Sequence, residues 1–115
     1  MIITFSNRHR YFVYRSVCDM RKGFDGLSGL VTNEFKMDPL SGDVFVFFSR
    51  TGIRVKLLRW EDDGFGIYSK RLERGTYEML RDKKGGVIEI KSDRKPTVNR
   101  VNKDKKYSGY LLSFQ

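Results

Sequence analysis

Three groups of residues in this chain have types and spacings that could do chemistry: a run of acids, a lone Cys and His, and a scatter of Arg and Lys among aromatics. Glu61-Asp62-Asp63 is the dense carboxylate run, and clustered Asp and Glu hold the paired cations of metal-dependent phosphodiester cleavage. Here, however, the run leads into Gly64, and Asp62-Asp63-Gly64 has hairpin-turn chemistry that splays the carboxylates into water. Asp19, Asp25, Glu34, Asp38, Glu73 and Glu78 are spread along the chain with no signature spacing. Of these, Asp25 and Asp38 suit a helix and the turn that follows it. Cys18 and His9 are single copies with no second ligand of either type nearby, so neither a zinc site nor a Cys–His nucleophile is expected. Cys18 reads instead as a small buried or helix-start residue. No metal or other cofactor and no enzyme activity are expected.

The basic residues offer binding chemistry. Arg21-Lys22-Gly23 stands near an expected helix start, where cations oppose the helix dipole unless an anion or an acid answers them. The spacing matches no phosphate-loop or dinucleotide motif, and both anion contact and pairing with Asp25 or Glu34 fit it. Farther along, Phe45, Phe47, Arg54, Lys56 and Trp60 fall on one strand face, combining cations for phosphates with rings for base stacking. The alternative is a second hydrophobic layer covered by the helix or the C-terminal segment, with Arg and Lys reaching past it. That alternative is preferred for Phe45 and Phe47; for Arg54 and Lys56 both readings stand.

These residues must be positioned by a small chain. Its 115 residues include 23 Lys or Arg and 14 Asp or Glu, a formal charge of +9, with 39% hydrophobic and 14% aromatic content. One folded domain over 1–115 follows, because the aromatic content can offset chain entropy and the length does not suit two domains. Residues 1–22 carry five basic and one acidic residue, 23–80 eight and nine, and 81–115 ten and four. A neutral middle with basic flanks suits a folded core whose ends meet something anionic, with solubility alone as the other reading. The longest apolar stretch, Val44 to Phe48, is far short of the roughly 20 residues of a membrane helix. With no leader pattern and no second cysteine for a disulfide, a soluble cytoplasmic protein with no membrane contact is expected.

Periodicity supplies the elements. Tyr11 to Arg15 reads as a strand. A helix follows from an Asp19 N-cap, with Phe24, Leu27, Leu30, Val31 and Phe35 on one stripe, ending before Pro39. Gly23, Gly26 and Gly29 interrupt it at about 1 kcal/mol each, which points to close approach of a sheet or a partner, or to a later helix start at Gly23. After the Asp38-Pro39-Leu40-Ser41-Gly42 turn come strands Val44 to Phe48 and Ile53 to Trp60. Pairing Phe48 with Ile53 puts Val44, Val46, Phe48, Ile53, Val55 and Leu57 on a core face and Leu58 with the aromatic and basic residues opposite. A second hairpin turns at Asp62-Asp63-Gly64 and runs through Phe65 to Arg71, in a register the sequence leaves open. Val87 to Ile90 reads as one more strand, Ser92 to Lys106 as a mobile basic linker, and Tyr107 to Phe114 as an apolar docking segment. The expected fold class is α+β: an antiparallel β-meander sheet with one main helix packed on one face.

Val13-Tyr14 followed by Asp19-Met20-Arg21-Lys22-Gly23-Phe24-Asp25-Gly26-Leu27 resembles the opening of the TnpB accessory proteins. These are second open-reading-frame products of bacterial insertion sequences of family sixty-six. Asp38 to Gly42, Val44-Phe45-Val46-Phe47, the Arg54, Lys56, Leu58, Trp60 alternation, and Lys70-Arg71-Leu72-Glu73 with Arg74-Gly75 continue the resemblance in order over residues 13–75. Where the family usually has Gly-Pro before a threonine, this chain has Ser16-Val17-Cys18. Where the family has Trp-Pro, it has Tyr77-Glu78-Met79, and the basic region 81–115 diverges.

The resemblance implies a mobile-element accessory factor encoded beside a separate DDE-type transposase that carries the strand chemistry. Among the matched residues, Arg21, Lys22, Arg54, Lys56, Trp60, Lys70 and Arg71 form the expected nucleic-acid-binding set, with DNA, the transposase and other proteins of the same element as partners. The competing expectation is a protein-interaction module that stabilises the transposase without touching DNA.

Overall fold

Strand β1, Tyr11–Tyr14, is built from aromatic and β-branched residues that suit a pleated, buried surface. In the computed structural model, which describes residues 9–77 and 85–90 together with the strand backbones 97–99 and 108–110, β1 lies inside a sheet. It is followed by helix α1, Phe24–Leu30, which continues through a wider π-helical stretch, Val31–Phe35, before Lys36 stops it in the left-handed conformation (φ 56°, ψ 40°). Leu27, Val31 and Phe35 are buried at steps of four. Because a step of four exceeds the 3.6-residue α-helical turn, the wider turns keep Val31 and Phe35 over the sheet where an unbroken α-helix would rotate them away.

The helix begins later than an Asp19 cap predicts. Gly23, extended at φ −102°, is the capping residue and provides no side-chain bond. Asp19 instead accepts the backbone N–H of Arg21 at 2.9 Å, forming a turn ahead of the helix. Phe24, expected on the core stripe, is 49% exposed as a result. Nor do the helix glycines mark an approach to the sheet. A Cβ at Gly29 meets nothing within 4 Å, and one at Gly26 meets only the Lys22 side chain, 3.1 Å away. Gly29→Ala is therefore expected to stabilise the protein by about 0.5–1 kcal/mol, and Gly26→Ala by less, read as midpoint shifts in urea.

The remaining strands are β2 Val44–Phe48, β3 Arg54–Trp60, β4 Phe65–Arg71, β5 Thr76–Tyr77, β6 Val87–Ile90, β7 Thr97–Asn99 and β8 Ser108–Tyr110. Four of them join β1 in one sheet in the order β4-β3-β2-β1-β6, and β5-β7-β8 form a second. The α+β class holds, but the larger sheet is mixed rather than an antiparallel meander. β1 and β2 run parallel, Tyr11 beside Val44 and Val13 beside Val46. The intervening helix carries the chain back to the end it started from, which a tight turn cannot do. β6 then returns antiparallel on the far side of β1.

The β2–β3 hairpin is two residues out of the expected register: Phe48 faces Val55, and Phe47 faces Lys56. Ser49, 7% exposed, widens the loop, since its N–H donates to the Arg54 carbonyl (3.0 Å) and its hydroxyl accepts the Arg54 N–H (3.1 Å). A slip of two preserves the faces. Ile53 alone is lost from the strand, and its carbonyl accepts the Leu72 N–H at 2.7 Å. The β3–β4 hairpin turns where expected, with Asp62 left-handed at φ 66° and the Glu61 N–H bonded to the Gly64 carbonyl at 2.7 Å.

Apolar layers cover both sheet faces. Val13, Val44, Val46, Phe48, Val55 and Leu57 pack with Tyr77 and Ile90 on one side. Phe12, Phe45, Phe47 and Leu58 pack under Leu27, Val31, Phe35 and Cys18 on the other. Phe45 and Phe47 are thus core, as the covered-layer alternative held. β7 lies within the segment read as a linker, and β8 within the apolar C-terminal segment; the rest of both lies outside the described residues. No helix among the described residues is long and apolar enough to cross a membrane.

Candidate nucleic-acid interface

The loop before α1 is fastened to the end of the sheet that carries the β2–β3 turn. The Cys18 N–H donates to the Phe48 carbonyl at 3.0 Å, and the Lys56 ammonium donates to the Lys22 carbonyl at 2.9 Å. These two bonds bring the Asp19 to Lys22 segment beside the first half of β3, which sequence separation alone does not reveal. Cys18 is 3% exposed, and burial pushes its thiol up to about 11. It is protonated at neutral pH and serves as packing rather than as a nucleophile.

Pleating sorts the β3 and β4 cations. Arg54 faces Arg71 across the ladder and Lys56 faces Ser69, while Lys70 pairs with Val55. Alternation therefore places Arg54, Lys56, Ser69 and Arg71 on the helix-bearing face and Lys70 on the other. A depression of about 370 Å³ lies along these rungs, lined by Met20, Arg54, Lys56, Ser69, Arg71 and Glu73, with Val55 and Lys70 also bordering it. Six residues up β3, about 20 Å from Arg54, Trp60 packs edge-on against Phe65 with ring centroids 5.1 Å apart. Of the seven expected binding residues, the fold thus gathers Arg54, Lys56 and Arg71 on one face. It brings Arg21 and Lys22 alongside through their loop, leaves Lys70 at the border on the opposite face, and sets Trp60 apart.

Two acids answer cations here. Arg21 binds Asp19 through Nη2 at 2.8 Å and Nε at 3.1 Å, and this guanidinium, with the Arg21 N–H, holds the Asp19 carboxyl well below the usual carboxylate range. The acid answering Arg21 is thus Asp19, not Asp25 or Glu34. Arg71 binds Glu73 at 2.9 Å. Ser69 and Glu73 were not among the expected binding residues. The facing of Ser69 and Lys56 becomes visible only once the β3–β4 register is known, and Glu73 sits just past the strand end.

No group of three or more His, Cys, Asp and Glu side chains able to hold a metal occurs among the described residues. The Glu61 carboxylate accepts the Tyr68 hydroxyl at 3.0 Å. What the fold presents is a small mixed-sheet α+β protein with a cationic depression beside an anchored loop. The chain belongs to the family described as IS66 Orf2 like protein, whose pattern matches residues 9–97. It is 35% identical over 81 residues to the uncharacterized protein y4hO of Sinorhizobium fredii, covering 70% of each chain. It is 34% identical over 68 residues to the uncharacterized protein y4jC of the same organism, covering 59% of this chain and 58% of that one. No solved structure matches it. Family membership suggests an accessory role in transposition.

Proposed function

We propose that this protein is a non-catalytic accessory factor of transposition that contacts DNA in the bacterial cytoplasm through the cationic depression and its neighbouring loop. The observation that carries the reading is the convergence of Arg54, Lys56 and Arg71 on one face, with Arg21 and Lys22 brought beside them by the Lys56 to Lys22 bond. Such a surface supplies phosphate contacts, which position a duplex, while Phe45 and Phe47 are buried under the helix. Binding to duplex DNA, followed by fluorescence anisotropy from about 50 to 200 mM salt, is expected to weaken steeply as counterion release predicts. Absence of binding at the lowest salt would refute direct DNA contact.

A second reading, docking on the transposase, is favoured by Val17 and Phe24, apolar residues 43% and 49% exposed that flank the same loop. Co-purification with the transposase that survives nuclease and high salt would support it, since DNA-bridged contacts are salt-labile.

A further inference from the structure

The facing of Arg54 and Arg71 is itself an unfavourable arrangement. Like charges directly opposite on a ladder destabilise the pair, and here only one of the two is answered. Arg71 donates from Nε (3.2 Å) and Nη2 (2.9 Å) to the same oxygen of Glu73. The Arg54 guanidinium has no ion pair among the described residues. On the next rung of the same face stand an ammonium, Lys56, and a hydroxyl, Ser69, and all of these groups line the depression.

We infer that this depression is a seat for one phosphate group, and that Glu73 holds Arg71 in its absence as an internal competitor. The inference rests on the DNA-contact reading only for the source of the phosphate, a backbone phosphodiester. Two facing guanidinium forks offer one partner to each non-bridging oxygen of a phosphodiester, and Lys56 and Ser69 supply further donors. A single carboxylate satisfies Arg71, and none among the described residues answers Arg54. The Arg71–Glu73 pair is open to solvent, its side chains 55% and 77% exposed, so it is of the weak, readily exchanged kind. The Leu72 N–H, bonded to the Ile53 carbonyl at 2.7 Å, anchors the backbone between the two partners. Glu73 therefore stays at the rim, where its charge opposes an entering anion.

The test pairs two variants with two probes. Glu73→Gln is expected to bind duplex DNA about threefold or more tightly than the wild type, the scale of one exposed ion pair released. Arg54→Gln is expected to bind about fivefold more weakly, with the salt slope reduced by about 1. Inorganic phosphate, titrated into ¹⁵N-labelled protein, is expected to shift the amides of Arg54, Ser69 and Arg71, and to do so less in Arg54→Gln. Glu73→Gln affinity equal to or below wild type, with an unchanged melting temperature, overturns the competitor. Phosphate that moves none of the three amides overturns the seat. Failure of duplex to bind while phosphate shifts those amides supports the seat and refutes the DNA reading alone.

Discussion

Phe47→Ala is expected to cost about 3–5 kcal/mol of folding stability, the range for a fully buried aromatic truncated to a cavity. Phe47 is 0% exposed, on a strand whose five residues are all buried. Its ring lies 5.5 Å from that of Phe35 at a tilt of 54° and 6.1 Å from that of Tyr14 nearly edge-on. Phe47 thus joins β2 to β1 and to the far end of the helical segment, and its loss loosens three elements together. Set against the roughly 5–15 kcal/mol of a small domain, the change removes a large fraction of total stability. Urea denaturation followed by circular dichroism measures it, and Phe24→Ala, at a half-exposed position, is the control expected to stay within about 0.5 kcal/mol. A Phe47→Ala loss below about 1 kcal/mol would mean that the helix does not pack on this face. The aromatic residues would then return to consideration as a stacking surface.

The behaviour of Phe47 also shows what the sequence made legible. Strand faces follow from alternation, so the buried sets on both sides of β2 and β3 could be written down without coordinates, and a register error of two residues left them intact apart from Ile53. Strand direction has no such local signal. Tyr11 to Tyr14 has the same composition whether it pairs parallel or antiparallel, and only the helix interposed before Val44 decides for parallel. The pairing of β1 with β6 joins Tyr11 to Ile90 across most of the chain, with no local cue in either segment. The candidate site was half legible for the same reason. Arg54 and Lys56 are two apart on one strand, so their common face is local information. Lys70 and Arg71 could be assigned to faces only through a register set by the Glu61–Gly64 turn, and Trp60 was grouped by face although distance along the strand separates it from the cations. Arg21 and Lys22 join the site through two backbone carbonyls, those of Phe48 and Lys22, which side-chain types do not announce.

Those placements dictate which charges to reverse. Simultaneous Arg54→Glu, Lys56→Glu and Arg71→Glu is expected to weaken duplex binding by about a hundredfold or more, because the donors around the seated phosphate are lost and three repulsions take their place. Lys70→Glu, at a residue that borders the depression but that strand alternation assigns to the opposite face, is expected to weaken it by about threefold or less, the scale of one screened charge outside the seat. The neutral set Arg54→Gln, Lys56→Gln and Arg71→Gln separates contact from repulsion: it should lose about tenfold and flatten the salt slope by about 1, the one phosphate that the depression seats. Lys56 needs separate control, since its ammonium also holds the Lys22 carbonyl at 2.9 Å; circular dichroism and melting temperature of each variant establish that the loop and sheet persist. Arg21→Gln provides the internal comparison. Arg21 is clamped by Asp19 on both Nε and Nη2, so less of its charge is free for a phosphate, and its loss should weaken binding less than that of Arg54, which no acid among the described residues answers. Equal affinity of the folded reversal variant and the wild type would remove the depression as a DNA surface and make the exposed Val17 and Phe24 the residues to mutate next, with transposase capture as the readout.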